Sequence, residues 1–217
     1  MTTTKSTALT DDDMDVMTLL HAAFRRDATR LAHVAQTYGT ENDETHDALL
    51  VGWRGFSREL HHHHRIEDTH IWPLMRRKLA DRPDDLAVLD DMEAQHSLID
   101  PTLAALEDAF DDREHGPRQV PHRIDDLVAL LQSHLAHEER DAFPLIKEVI
   151  TAQEWQALSK AAVKELAYSD IAQLGPYVVE GATPEQARRV LSELPVPLRL
   201  VHRFWWNPRY RRVRRWE

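Results

Sequence analysis

The chain has 217 residues, 42% of them hydrophobic, which is enough for one compact domain with a buried core and an appendage, and excludes disorder throughout. It has no cysteine, which excludes disulfides, iron–sulfur clusters and cysteine-ligated zinc and leaves only nitrogen and oxygen donors for any metal. The 6 glycines form no phosphate loop or dinucleotide fingerprint, and a formal charge of −10 argues against general nucleic-acid binding.

That charge is unevenly placed. From Pro197 to Glu217 there are seven arginines and one acid, a formal +6 that leaves −16 for the rest. No apolar run approaches the ~18 residues that span a bilayer. Met1-Thr2-Thr3-Thr4-Lys5 lacks the charged-then-apolar order of a secretion signal. A cytoplasmic protein with no membrane span is the expectation.

Thr10 followed by Asp11, Asp12 and Asp13 is a helix start, with a capping hydroxyl and acids facing the positive end of the helix dipole. The first helix then runs to about Thr37. Met14, Met17, His21, Phe24, Ala28, Leu31 and Ala35 recur along it at three- and four-residue steps, so His21 interrupts one apolar seam. Tyr38-Gly39-Thr40 breaks the pattern, and a second stretch runs from near Glu44 toward Leu79. Its seam is Phe56, Leu60, His63, Glu67, His70 or Ile71, and Leu74, with Pro73 expected to kink it or mark a change of packing.

After a turn at Asp81-Arg82-Pro83-Asp84, the third helix, Asp84 to Asp112, carries Leu89, Met92, His96, Ile99, Leu103, Leu106 and Phe110 on one face, with a kink expected at Pro101. Beyond His115-Gly116-Pro117 the fourth stretch, Arg118 to Val149, reads Leu127, Leu131, His134, Glu138, Ala142 and Leu145. Short connections between four such helices predict an all-α, up-down-up-down four-helix bundle over residues 10–150, with the polar midpoints at one level. A further helix is expected from the capping box at Thr151 to just before Gly175-Pro176, and a short one from Thr183 to Leu194. Residues 151–217 thus form a helical extension ending in a basic, aromatic tail.

The second and fourth stretches share a local pattern. His63, Glu67, Pro73 and Leu74 coincide in spacing with His134, Glu138, Pro144 and Leu145, and an acid follows each Glu and an aromatic precedes each Pro. Residues four apart stand one turn above each other, so each His/Glu pair can reach one point inside the bundle. His21 and His96 add one imidazole each. Four nitrogens and two carboxylates suit two iron ions, with the glutamates able to bridge and positions left open for a small ligand.

This arrangement resembles the hemerythrin-like, or HHE cation-binding, family over about residues 10–150. The resemblance implies an oxo- or hydroxo-bridged di-iron centre held by His21, His63, Glu67, His96, His134 and Glu138, with O2, H2O2 or NO as ligand. Oxygen-carrying members supply two histidines from the third helix, whereas here Met92 and Asp100 flank His96 at helical spacing. The missing imidazole points to the redox, sensing and peroxide-reactive branches, with catalase- or peroxidase-like turnover as one role and a non-enzymatic sensor or O2-binding protein as the alternative. The oligomeric state is left open.

His61, His62 and His64 fall on other faces around His63 and are expected to be solvated or to support the ligands. His70 and His137 lie beside the seam, where either could replace a water ligand. Asp68 and Glu139 are expected to orient imidazoles or face solvent. In the tail, Phe204, Trp205, Trp206, Tyr210 and Trp216 are expected to cap the bundle while the arginines pair with its acidic body, with binding of RNA, an anionic membrane or a partner through stacking and charge as the alternative.

Overall fold

A computed structural model describes residues 8–39, 43–112 and 114–216; Met1 to Lys5 and Thr40 lie outside the described residues. Four arms build the body. They are α1 (Asp15–Thr37), α2 (Asp43–Ile66) with its continuation α3 (Trp72–Lys78), α4 (Pro83–Asp111), and α5 (Gly116–His137) with its continuation α6 (Phe143–Val149). Helix α5 packs between α1 and α4, and α2 closes the square from the other side, giving the up-down-up-down four-helix bundle. Among the described residues the only extended pairing is an isolated bridge between Ala8 and Thr151.

The start of α1 differs from expectation. Thr10 does not cap it; the Asp13 carboxylate instead accepts from the Thr10 amide at 2.9 Å and the Thr10 hydroxyl at 2.6 Å, and one tight turn, Asp12–Met14, leads into the helix. Pro101 does not interrupt α4, which runs through it.

Between α2 and α3, and again between α5 and α6, the chain makes one π-helical turn, Glu67–Ile71 and Glu138–Ala142. Both widen the helix for the same reason. Pro73 and Pro144 lack an amide hydrogen, and in α geometry their rings would strike the carbonyl one turn back. An extra residue in the turn removes the clash, and the amides of Trp72 and Phe143 bond back to the carbonyls of Glu67 and Glu138. The buried face then advances by one residue, so Met75 is buried where the sequence pattern pointed to Leu74.

Two apolar clusters fill the bundle, one at each end. The first contains Phe24, Leu31, Trp53, Phe56, Leu60, Leu103, Phe110 and Leu131. The second contains Met14, Met17, Ile71, Trp72, Met75, Leu89, Met92 and Ile146. His21, His63, Glu67, His96, His134 and Glu138 form the polar layer between them, every one buried.

The extension comprises α7 (Ala152–Glu165), α8 (Tyr168–Val179), α9 (Pro184–Ser192), α10 (Val196–Val201), a third π turn (His202–Trp206) and α11 (Asn207–Arg212). The capping box at Thr151 forms with Glu154. The expected end before Gly175-Pro176 does not: the break falls at Leu166-Ala167, where the Asp170 carboxylate accepts from the Ala167 amide at 3.1 Å, and α8 runs through Gly175 and Pro176. Glycine at 175 allows a close approach instead. A Cβ there would lie 3.3 Å from Cδ2 of His202.

Helices α8 and α9 pack on α1, so α1 is buried over a broader arc than its seam, including Ala23 and Asp27. The tail only partly follows expectation. Trp206 and Trp216 are buried, the Trp216 amide donates to the Ala48 carbonyl at 2.9 Å, and Arg214 pairs with Glu44. Phe204 and Trp205, each 68% exposed, cap nothing.

Candidate metal centre

Helix α1 supplies His21, α2 supplies His63 and, at the start of its π turn, Glu67; α4 supplies His96, and α5 supplies His134 followed by Glu138 at the start of the second π turn. All six expected residues are brought together, but in two groupings. His21, His63, Glu67 and Glu138 each offer a donor atom within 4.8 Å of the others, and so, separately, do His64, His96 and His134.

In the first grouping, Nε2 of His21 lies 3.2 Å from Nε2 of His63 and 3.2 Å from Oε2 of Glu138, and Nε2 of His63 lies 3.2 Å from Oε1 of Glu67. The two carboxylates reach the second grouping as well. Glu67 Oε2 is 3.5 Å from His96 Nε2, and Glu138 Oε2 is 3.7 Å from His134 Nε2. Each glutamate therefore stands between an imidazole of one grouping and an imidazole of the other. None of the four glutamate oxygens has a hydrogen-bond partner, nor has Nε2 of His96 or His134. Buried polar atoms are ordinarily satisfied, and a cation at this point could satisfy all six.

The outer nitrogens are, by contrast, well held. Nδ1 of His21 meets Glu139 Oε1 at 2.9 Å, Nδ1 of His96 meets Asp68 Oδ1 at 2.9 Å, and Nδ1 of His134 meets Gln95 Oε1 at 3.0 Å. An ionised carboxylate or an amide oxygen only accepts, so each Nδ1 carries a proton and each Nε2 is the nitrogen turned toward the centre, free on His96 and His134 and, on His21, holding a second proton against Glu138 that a metal would displace. That is the tautomer a metal needs. Arg25 grips both oxygens of Glu139, at 2.6 and 2.9 Å, and fixes it in turn.

The carboxylates draw protons to the site, while burial resists charge on His134. Burial lowers the His21 pKa, but Glu138 and Glu139 outweigh it and raise the value to about 9. Burial, joined by repulsion from Glu138, pushes Glu67 well above the ordinary carboxylate range. His134 is driven down to about 3, chiefly by burial.

Other candidates fall outside both groupings. His70 is tied to Glu165 of α7 at 2.6 Å, and His137 lies between Gln95 at 2.8 Å and Asp141 at 3.1 Å. Asp100 is half exposed and lies 3.2 Å from Nδ1 of His61. The residue that sequence reasoning missed is His64, which is buried and stacks on His96 with ring centroids 4.0 Å apart.

A four-helix bundle whose buried midpoint gathers imidazoles and carboxylates into two metal-sized groupings is a metal-binding domain. The family model for the hemerythrin HHE cation-binding domain matches residues 12–146, and the chain belongs to that family. Searches of curated proteins and of solved structures return no match. Among the described residues no helix is long and apolar enough to cross a membrane.

Proposed function

We propose that the chain is a non-haem di-iron protein whose centre decomposes hydrogen peroxide, with O2 and NO as related small ligands, in a response to oxidative stress. One observation carries the reading: two fully buried carboxylates, each shared between imidazoles of both groupings, leave all their oxygens without a hydrogen-bond partner. Left uncompensated, such burial costs several kcal/mol per group, and two cations offset it.

His21 and His63 would hold one ion and His96 and His134 the other, with Glu67 and Glu138 between them. Zinc in structural sites prefers four tetrahedral donors, so this larger nitrogen and oxygen set suits iron better. Bound iron would supply electron exchange with peroxide, O2 or NO. The chain positions the donors and keeps bulk water out, with Phe24 packed 5.2 Å from the His63 ring and Phe143 5.1 Å from the His21 ring.

Glu139 and Asp68, bonded to Nδ1 of His21 and His96, make those imidazoles stronger donors, which favours the ferric state over reversible oxygen carriage. The preference for peroxide rests on these pairs rather than on the imidazole missing from the third helix, because His64 stands beside His96. Iron analysis and an absorption spectrum of the purified protein, followed by peroxide addition, test the reading. Two irons per chain and catalytic loss of peroxide are expected. Fewer than two irons in fully loaded protein sinks the dinuclear centre; binding without turnover makes the protein a sensor or an O2-binding protein instead.

A further inference from the structure

We infer that His64 is itself a metal ligand, the third imidazole of the grouping it forms with His96 and His134. The inference rests on the dinuclear reading and adds a donor to it. His64 is 2% exposed, and neither of its ring nitrogens has a hydrogen-bond partner. A buried imidazole that satisfies neither nitrogen is costly in an apolar interior, and here it lies among donors that also lack partners. Its ring stacks on His96 with an interplanar angle of 14° and meets His134 edge-on at 5.3 Å.

The placement follows from helix geometry. Successive residues of an α-helix point about 100° apart, so His63 and His64 leave α2 on either side of the line facing the bundle centre. His63 meets His21 of α1, and His64 meets His96 of α4. One helix thereby feeds both groupings.

Asp100 Oδ1 is the acid nearest Nδ1 of His64, at 3.9 Å, too far to bond it, whereas Glu139 and Asp68 bond Nδ1 of His21 and His96 at 2.9 Å. Both ring nitrogens of His64 thus remain without a partner, and Asp100, which occupies the place four residues after His96, lies outside the grouping.

The test uses the full chain loaded with ferrous iron in the absence of oxygen, with iron counted per chain and imidazole donors counted by X-ray absorption at the iron edge. His64→Phe fills the same space without a donor. It is expected to retain one ion firmly and lose the second, with fewer imidazoles per iron, while helical content by circular dichroism is unchanged. If that variant does not fold, His64→Gln takes its place with the same expected losses. A folded variant with unchanged iron content and an unchanged edge spectrum overturns ligation by His64. Fewer than two ions in the unsubstituted chain overturns the dinuclear reading, and an edge spectrum that then still changes on substitution supports ligation by His64 to the ion that remains.

Discussion

Two π turns lie at the centre of the bundle and a third lies in the C-terminal extension, and all three stand in the same relation to a proline. Glu67, Glu138 and His202 each open a π turn six residues before Pro73, Pro144 and Pro208. In every case the amide before the proline bonds back to the carbonyl of the turn's first residue. The first residue is buried each time. Chemistry separates them. Glu67 and Glu138 each have a histidine four residues earlier and further imidazoles converging from other helices, whereas His202 is preceded at that spacing by Leu198 and is packed on Gly175. Proline spacing thus makes the turn, and only convergence within the bundle makes it a site, although π turns are often taken as marks of function.

The largest expected effect breaks the comparison on the side of chemistry. Glu67→Gln and Glu138→Gln keep shape but remove a charge shared by both groupings, so each variant should lose both ions, read as iron per chain. His202→Leu, at the matching position of the third turn, should load like the unsubstituted chain. Because it removes a buried nitrogen with no partner, it should leave stability unchanged or raise it by about 1 kcal/mol.

A smaller effect tests the backbone. Pro73→Ala allows α geometry to return, which would turn either the His63/Glu67 pair or Met75 and Leu79 off the buried face. A loss of about 1–3 kcal/mol in urea unfolding, together with weaker iron binding, is expected. Pro208→Ala should lower stability less and leave iron binding unchanged. Equal iron loss in both would show that the central turns have no special part in placing the donors.

The sequence exposed the donors at the centre of the bundle better than the layout of the extension, for physical reasons. The His63/Glu67 and His134/Glu138 pairs were legible because four-residue spacing is a local property of a helix, and His21 and His96 because each interrupts an apolar seam. His64 was not, since its helical phase sets it off that seam, and only the approach of α4, a tertiary fact, makes its position internal. Nor does periodicity reveal the π turns, which shift the phase so that Met75 replaces Leu74 on the buried face. In the extension, Gly175-Pro176 has the form of a helix end, yet the glycine serves the close approach of His202. The actual break at Leu166-Ala167 carries no glycine or proline. Local punctuation predicts breaks well only when the residue's purpose is local.

The smallest expected effect concerns pH and contrasts His21 with His202. In the first, two carboxylates overcome burial and raise the pKa to about 9; in the second, burial alone lowers it. A raised folded value means that His21 adds stability to the metal-stripped chain below its unfolded value of 6.5, and that this stability is lost as pH rises through about 9. His64 and His134 act in the opposite sense. Pushed down mainly by burial to about 4 and about 3, they refuse protons that the unfolded chain accepts, so stability falls as pH drops from 6.5. His202 adds a small share to that acid-side loss. Glu67, whose folded value is raised, works against part of that acid-side loss, because the unfolded chain gives up its proton first as pH rises from 4.5. The lowered imidazoles outnumber it, so thermal unfolding of the stripped chain from pH 4 to 10 should peak near neutrality, with a shallow acid side and a fall on the alkaline side. His202→Leu should make the acid side slightly shallower and leave the alkaline side alone, while Glu138→Gln, which removes one of the carboxylates holding the His21 proton, should flatten the alkaline side. An alkaline fall that persists unchanged in Glu138→Gln would mean that the carboxylate pair does not set the charge of the centre.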